Sequence, residues 1–381
     1  MAGDLLIGMM SGTSVDGIDA ALVRFESAEQ LQLIATRFTP FEDALRDDIN
    51  RLAQHVGRLK PADYAALDRQ LAEAYAEAAM ALADEAGILM QDLRAIANHG
   101  QTVSHEPNIE QPYTLQLGDP QTIADICGAT TIAQFRQADM AVGGQGAPLM
   151  PAFHHAMFAR SSSATAILNI GGIANLTVLG EPVIGFDTGP GNTLMDQWIE
   201  QNESRRFDKN GEWAASGVVD EAALKLLLAD PYFTQTAPKT TGTDVFSLAW
   251  VERTLGDLSQ FKAPDLQATL LALTVESIAH EIERAQQTTE LERICVCGGG
   301  ASNHHLMNSL RKRLPELTIQ TTDDLGIAAD WLEAIGFAWL GYCRLEDIPG
   351  NLPSVTGARE AVVLGEVFEP HGGFEANARP V

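Results

Sequence analysis

Small and hydroxyl-bearing residues follow the first apolar run of the chain, in the stretch "MMSGTSVDGID" (9–19). Glycine lets a backbone approach a ligand closely, and successive N–H groups with hydroxyls can bind a phosphate without a nearby cation. The stretch has no lysine, and the P-loop pattern G-x-x-x-x-G-K-[ST] is absent from the chain. We therefore expect a phosphate-binding turn of a different kind. Its candidate residues are Gly12, Thr13, Ser14, Val15, Asp16, Gly17, Ile18 and Asp19.

Two later stretches repeat the theme, "AILNIGGIANLTVLG" (166–180) and "CVCGGGASN" (295–303). When residues 5–23 are shifted until Gly8 meets Gly171, an apolar run again meets glycine and then resumes. This indicates two related domains, each opening with a glycine-bearing hairpin. Two unrelated turns that share glycines are the alternative. The third stretch leaves room for a base or ribose. The candidate residues are Gly171, Gly172, Gly298, Gly299 and Gly300.

Two carboxylates stand where acid–base chemistry could use them. Asp187 ends an apolar run in "GFDTGPGN" (185–192), and the tight turn after it would fix the carboxylate as a general base. It could instead cap a helix that begins near Asn192. Glu333 is the lone charge in "WLEAIGFAWLGYC" (331–343), and a carboxylate on an apolar helix is costly unless it is paired or functional. A solvent-facing position at a helix end is the alternative.

Four further residues could line a pocket for a polar substrate. Arg136 in "FRQADMAVGGQGAP" (135–148) could bind a carboxylate through two parallel hydrogen bonds, or lie on the surface. His99 and Gln101 in "NHGQT" (98–102), and Asp119 in "LGDPQT" (117–122), follow predicted strand ends. His99 could equally hydrogen-bond a loop carbonyl.

The elements that must position these residues are strands alternating with helices. With 381 residues the chain is too long for one typical core, so two domains are expected. The alternating run 30–40 predicts a third strand after the opening hairpin, and 61–86 predicts an Ala-rich helix that begins at Pro61. The pattern predicts an α/β fold with ligands at strand ends. Residues from Glu346 onward are expected to be irregular.

Composition excludes several classes of function. The net charge of −26 argues against nucleic-acid binding. No apolar run reaches the roughly 18–20 residues of a membrane span, and the first residues lack the basic region of a signal peptide. Four scattered cysteines favour a reducing cytoplasm, and Cys295 and Cys297 are predicted to be buried thiols and not metal ligands. The pair His154–His155 is predicted to lie on a helix surface.

Seven motifs, in order and without gaps, resemble the anhydro-N-acetylmuramic acid kinase family of the sugar kinase, actin and heat-shock chaperone superfamily. They are "GMMSGTSVDGIDAAL", "NHGQTVSHEP", "QLGDPQTIAD", "FRQADMAVGGQGAPL", "NIGGIANLT", "GFDTGPGN" and "CGGGASN", and "EAIGFAWL" extends the likeness to residue 340. The resemblance implies two actin-like (ribonuclease H-like) α/β domains with mixed sheets, flanked by helices, and an ATP cleft between them. We assign 1–160 and 161–344 to the two domains and expect the tail, 345–381, to pack on the first.

The resemblance also implies a reaction, in which ATP phosphorylates 1,6-anhydro-N-acetylmuramic acid while water opens the anhydro ring. Asp187 matches the catalytic aspartate of the family, and Glu333 is expected to meet the sugar. Mg²⁺ should accompany ATP, but its protein ligands stay unassigned, because Met10 and Asn169 stand where many superfamily members have aspartates. A homodimer is expected. A kinase for another sugar, and a nucleotide-switched binding or filament protein, are the alternatives.

Overall fold

The computed structural model describes residues 3–12, 14–56, 60–159, 164–237, 239–243 and 245–371. Two compact units divide the chain: unit 1 comprises 1–157 and 333–381, and unit 2 comprises 158–332. The division places the helix residues from Glu333 onward in unit 1, whereas the sequence-based boundary lies at residue 344. The domain limits 1–160 and 161–344 stay a prediction. Among the described residues, no helix is long and apolar enough to cross a membrane.

The regular elements alternate along the chain. The strands are β1 Asp4–Ser11, β2 Gly17–Ser27, β3 Gln30–Pro40, β4 Ala95–Glu106, β5 Tyr113–Leu117, β6 Thr131–Ala133, β7 Thr165–Ile170, β8 Ile173–Val178, β9 Ile184–Pro190, β10 Arg293–Cys297, β11 Thr318–Thr321 and β12 Glu366–Phe368. The α-helices are α1 Asp43–Gln54, α2 Pro61–Glu85, α3 Pro120–Cys127, α4 Phe135–Ala141, α5 Met150–Phe158, α6 Thr193–Glu203, α7 Glu212–Ala215, α8 Glu221–Leu228, α9 Leu248–Leu255, α10 Ala263–Gln286, α11 His304–Arg313, α12 Leu332–Leu345 and α13 Pro353–Thr356. The predicted mixed α/β fold, with two sheets flanked by helices, is confirmed.

Unit 1 is built on a seven-stranded mixed sheet in the order β12-β6-β4-β1-β2-β3, with β5 paired to β4. The first three strands form an antiparallel meander, while β4 runs parallel to β1 and to β6. Helix α2 begins at Pro61 as predicted, because proline fits the first helical position and Asp63 accepts a hydrogen bond from the Lys60 N–H (3.1 Å). Its buried face carries Leu67, Leu71, Tyr75, Ala78 and Leu82, as predicted.

Unit 2 is built on a five-stranded sheet in the order β11-β10-β7-β8-β9. Strands β7, β8 and β9 form an antiparallel meander, and β10 runs parallel to β7 and β11. The 24-residue helix α10 packs against this sheet and buries most of its apolar side chains. The unit therefore repeats the arrangement of unit 1, a three-stranded meander followed by two parallel strands.

The register of this repeat differs from the one that the sequence suggested. Gly8 lies within β1, where a Cβ would stand 2.0 Å from the Ala334 carbonyl oxygen of α12. Gly171 instead lies in the turn between β7 and β8, so matching Gly8 to Gly171 was wrong. The turn after Ser11 occupies the corresponding place in unit 1. Gly8 is needed for helix packing because only hydrogen fits there.

Three other expectations can be compared with the structure. The tail is not wholly irregular, because β12 pairs antiparallel with β6 and the short helix α13 precedes it. His154 is buried on α5 and only His155 is exposed, so the predicted surface pair was wrong for the first of them. Cys295 and Cys297 are buried as predicted, and the four cysteines, all within the described residues, form no disulfide.

Candidate active site

The first candidate turn joins β1 to β2 across residues 12–16. The Val15 N–H donates to the Gly12 carbonyl (3.2 Å), and Ser14 Oγ donates to Asp16 Oδ1 (2.9 Å). Val15 has a positive φ of 52°, which is uncommon for a β-branched residue. Thr13 lies outside the described residues. The turn is thus tightly wound by its own backbone and hydroxyl.

The last three candidates of this stretch belong to strand β2 and not to the turn. Gly17 packs against β3, since a Cβ there would stand 2.4 Å from the Thr39 carbonyl oxygen. Ile18 is buried in the core of unit 1, and Asp19 pairs with Met10 across the β1–β2 ladder. Their roles in binding a ligand stay a prediction.

Gln101 anchors the first turn from the neighbouring strand β4. Ser11 Oγ donates to its Oε1 (2.6 Å), while its Nε2 donates to the carbonyls of Gly12 and Thr102 (3.2 Å each). The Gln101 side chain is buried, with 1% of the residue exposed. Because both ends of the amide are bonded within the protein, Gln101 fixes the end of β1 relative to β4.

The glycines of unit 2 meet at one end of its sheet. The turn residues Gly171 and Gly172 accept hydrogen bonds from Asn192 N (2.8 Å) and Gly191 N (2.9 Å), which open helix α6. At the end of β10, Gly298 has a φ of +76°, and a Cβ there would stand 2.3 Å from Asn169 Oδ1. A 3₁₀ turn, Gly299–Ser302, follows. The structure therefore brings together the second and third glycine stretches.

Asp187 lies on β9, and one of its two carboxylate oxygens is fixed. Oδ2 accepts hydrogen bonds from Thr240 Oγ1 (2.8 Å) and from Thr241 N (2.9 Å). The described residues donate no hydrogen bond to Oδ1. Burial raises the pKa of Asp187, while the two hydrogen bonds and the Lys239 charge partly oppose the effect. The predicted alternative, a cap on α6, does not match these partners.

Arg136 and His99 form a pair in unit 1. Arg136 Nε and Nη2 lie 3.1 Å and 2.9 Å from His99 Nε2, and Nη1 donates to the Gly146 carbonyl (2.7 Å). Burial and the adjacent guanidinium hold the pKa of His99 well below its usual range, so the imidazole is neutral. Burial lowers the pKa of Arg136 to about 10, which still leaves it cationic at neutral pH. His99 Nδ1 is then the N–H of the ring, and it has no partner among the described residues.

Glu333 and Asp119 occupy different surroundings. Glu333 lies in the first turn of α12, partly exposed, and its charge opposes the lowering of the Arg136 pKa. The Glu333 carboxylate therefore lies near enough to Arg136 for the two charges to interact. Asp119 caps helix α3, accepting a hydrogen bond from Thr122 N (2.9 Å). A capping bond of this kind stabilises the helix by about 1 kcal/mol, so Asp119 has a structural role whether or not it meets a ligand.

Comparison with known proteins decides the family. The profile of the family "Anhydro-N-acetylmuramic acid kinase" matches residues 4–370. A protein of that name from Pasteurella multocida is 47% identical over 365 residues, covering 95% of this chain and 96% of its own length. One from Haemophilus influenzae is 46% identical over 375 residues, covering 95% and 97%. The chain belongs to the anhydro-N-acetylmuramic acid kinase family.

A solved structure is also similar, component A of (R)-2-hydroxyglutaryl-CoA dehydratase from Acidaminococcus fermentans. Its TM-score is 0.46 at 13% sequence identity, with 88% of this chain and 96% of that chain covered.

Two residues of the quoted family motifs escaped the sequence analysis. Asp139, fully buried, accepts hydrogen bonds from Gly146 N (2.7 Å), Asn351 Nδ2 (2.6 Å) and Thr356 Oγ1 (2.7 Å). It thereby ties the loop that Arg136 also contacts to the C-terminal segment. The signal was its position three residues after Arg136, which places both on one helical face. The pairing with a distant Asn and Thr has no local signal.

His105 is the second motif residue that the sequence analysis did not identify. Its Nδ1 lies 3.0 Å from Thr114 Oγ1, and burial with the Arg136 charge lowers its pKa to about 4. Both His99 and His105 are therefore neutral beside one arginine. His99, Gln101 and His105 are separated by even numbers of positions along the segment that forms β4, which could have suggested a shared polar face.

Proposed function

We propose that the protein is an ATP-dependent kinase for 1,6-anhydro-N-acetylmuramic acid that also opens the 1,6-anhydro ring by hydrolysis. The products are N-acetylmuramic acid 6-phosphate and ADP, as needed in cell-wall (peptidoglycan) recycling and amino-sugar catabolism. The observation that carries the proposal is membership of the kinase family across residues 4–370. The environment of Asp187 supports it independently.

Asp187 is the proposed general base. Water adds to the anomeric carbon and loses a proton to the carboxylate, the bond from that carbon to the six-position oxygen breaks, and that oxygen bonds to the γ-phosphorus of ATP as ADP leaves. Oδ2 is held by Thr240 and Thr241, which leaves Oδ1 to accept the proton of water. The raised pKa of Asp187 makes it a stronger base than an exposed aspartate.

Backbone groups are the proposed ligands of ATP. The first turn, residues 12–16, and the turn Gly171–Gly172 would bind the phosphates through N–H groups and hydroxyls. The segment Gly298–Gly300 would lie against adenosine, where the absence of side chains leaves space for a flat ring. The close packing of this segment with Asn169 supports a fixed backbone shape, which lowers the entropic cost of binding.

The sugar would meet side chains of unit 1. We assign the lactyl carboxylate to Arg136, whose orientation His99 and Gly146 already fix. The unpartnered N–H of His99 supports a nearby ligand oxygen, because a buried donor without an acceptor is costly. Glu333 would contact the sugar from α12. Gln101 and Asp119 would shape the pocket through the turn and the helix that they hold.

Mg²⁺ is proposed to enter with ATP. Among the described residues, no group of three or more His, Cys, Asp or Glu side chains could hold a metal ion. This fits an ion that keeps phosphate oxygens and water as its principal ligands. Bound there, it would neutralise charge on the transferring phosphoryl group.

A coupled assay of ADP release tests the function. Purified protein should release ADP from MgATP only when anhydro-N-acetylmuramic acid is present, and mass spectrometry should find one added phosphate and one added water in the sugar. ADP release that ignores the sugar would favour a nucleotide-switched binding or filament protein. Turnover with a different sugar, and none with anhydro-N-acetylmuramic acid, would favour a kinase for that other sugar.

Two properties of the working protein stay proposals. A cytoplasmic location is supported by four buried cysteines without a disulfide, as reducing compartments favour. A homodimer is supported by the frequency of two-fold assemblies among soluble proteins. Fractionation of cells would test the location, and light scattering at assay concentration would test the homodimer.

A further inference from the structure

A buried ion pair lies beneath the segment that holds Asp187. Lys239 Nζ donates to Glu281 Oε1 (2.8 Å), and the two side chains are 1% and 4% exposed. Arg284, whose side chain is partly exposed, brings Nη1 to within 3.1 Å of the same buried oxygen. Removing two charges from water costs several kcal/mol per ion, so a buried pair is weak evidence for a role in stability alone.

The backbone of Lys239 and the next two residues, Thr240 and Thr241, contact Asp187. The Lys239 carbonyl accepts a hydrogen bond from Asp187 N (3.1 Å), and Thr240 and Thr241 hold Asp187 Oδ2. Tyr232 completes the frame, since its hydroxyl donates to the Asp187 carbonyl (2.7 Å). Lys239 Nζ in turn donates to the Tyr232 carbonyl (3.3 Å) and lies 4.5 Å from the centre of its ring. The ammonium therefore fixes both segments that contact Asp187.

We propose that Lys239, locked by Glu281, is the positioning residue for the general base, and that its ammonium favours the ionised carboxylate of Asp187. The inference rests on the proposed function, because it presumes that Asp187 accepts a proton. The ionisable groups around the carboxylate are Lys239 on the segment after a second 3₁₀ turn, Pro231–Thr234, Tyr232 within that turn, and Glu281 and Arg284 on α10. The Lys239 charge lowers the pKa of Asp187 against the effect of burial.

The test replaces the charges of the pair in two steps. Lys239→Met removes the cation and leaves Glu281 beside Arg284, so the pKa of Asp187 should rise by about one unit. The acidic limb of the kcat/KM profile should move up with it, since the base acts only when ionised. In the double variant Lys239→Met/Glu281→Gln both charges are gone, so its limb should lie between those of Lys239→Met and wild type.

Carboxyl ¹³C NMR titration, with the Asp187 signal assigned through Asp187→Asn, measures the same pKa without turnover. Glu283→Gln on the same helix, where the carboxylate pairs with Arg313, is the matched control and should leave the limb and the titration unchanged. Coincident midpoints in wild type and every folded variant would overturn the inference. If Lys239→Met does not fold, the double variant must still differ from wild type. Sugar-independent turnover in wild type would instead refute the proposed function, while the titration still judges Lys239.

Discussion

Five strands of each sheet share one order, but the two sheets close their first hairpins in different ways. In unit 1 the turn of residues 12–16 is held by a side chain, Gln101, which comes from the adjacent parallel strand. In unit 2 the turn Gly171–Gly172 is held by backbone N–H groups at the start of α6, and Asn192 Nδ2 donates to the Ile170 carbonyl just before the turn (3.2 Å). The first hairpin therefore depends mainly on a polar side chain, and the second mainly on backbone hydrogen bonds.

The same contrast continues at the next strand of each sheet. Gly100 within β4 and Gly298 after β10 both have a φ of +76°. After its glycine, β4 continues and carries Gln101 and His105, whereas β10 gives way to a glycine-rich 3₁₀ turn. Unit 1 thus presents polar side chains, and unit 2 presents backbone. Asp187 is the exception in unit 2, which makes it the sharpest test.

Asp187→Asn should have the largest effect. Asparagine keeps the shape and can accept the hydrogen bonds of Thr240 and Thr241, but it cannot take a proton from water. Sugar-dependent turnover should fall by about 10²–10⁴-fold, the usual contribution of a general base. The Kd for ATP should change little, and the melting temperature should not fall, because burial of a charge is removed. Wild-type turnover in this variant would remove Asp187 from the role.

The sequence predicted these elements where pattern and chemistry agree locally. Strand 30–40 and the helix that begins at Pro61 follow from alternation and helical spacing, and they are confirmed. The glycine stretches predicted turns because glycine favours turns through its own backbone freedom, without help from distant residues. Contacts between distant segments left no such signal: the bonds of Asp139 to Asn351 and Thr356, and the burial of His154, depend on tertiary packing. Whether the candidate residues act together stays a prediction.

A matched pair of valine substitutions separates the two kinds of turn. At Gly298 a side chain would meet Asn169 Oδ1 at 2.3 Å and the Ile170 carbonyl oxygen at 2.9 Å, with a positive φ. Gly298→Val should therefore lower the free energy of unfolding by about 3 kcal/mol. At Gly12 the nearest atom to a Cβ is Ser14 Oγ at 3.6 Å. Gly12→Val should fold with stability within about 1 kcal/mol of wild type, measured by urea denaturation.

For ATP binding, Gly12→Val is the more informative of the two variants. On the proposed function, Gly12→Val should raise the Kd for ATP about tenfold, or ~1.4 kcal/mol, by crowding the phosphates. Calorimetric titration of the folded variant measures it. Wild-type affinity would show that residues 12–16 are a structural turn only.

Gln101→Leu tests the side-chain anchor of unit 1. It leaves Ser11 Oγ and the Gly12 carbonyl without their buried partner, which should cost about 2 kcal/mol of unfolding free energy. The KM for ATP should rise because the turn loses its fixed position. Gln116→Leu on β5 is the control, since its amide donates to the hydroxyls of Thr102 and Thr114 and, among the described residues, to no group of the turn. Equal effects of the two substitutions would show that the turn does not need Gln101.

Acidification acts on the two units with opposite sign. Burial lowers the pKa of His154 to about 3, so between pH 6.5 and that value only the unfolded chain takes up the proton. Each such histidine lowers the free energy of unfolding by about 1.4 kcal/mol per pH unit as pH falls below 6.5. Asp187 in unit 2 acts oppositely, since its pKa is raised and the folded state binds its proton first.

Urea denaturation between pH 5 and 6.5 tests the histidine contribution. His154→Gln removes a side chain that takes up a proton in the unfolded chain but not in the folded protein. The slope of unfolding free energy against pH should therefore decrease by up to about 1.4 kcal/mol per pH unit. The exposed neighbour provides the control: because its side chain lies outside the core, His155→Gln should change the slope less than His154→Gln. Equal slopes in wild type and both variants would mean that His154 takes up its proton in the folded protein as readily as in the unfolded chain. The acid sensitivity of unit 1 would then come from His99 and His105, beside Arg136, where a buried neutral ring holds the guanidinium in place.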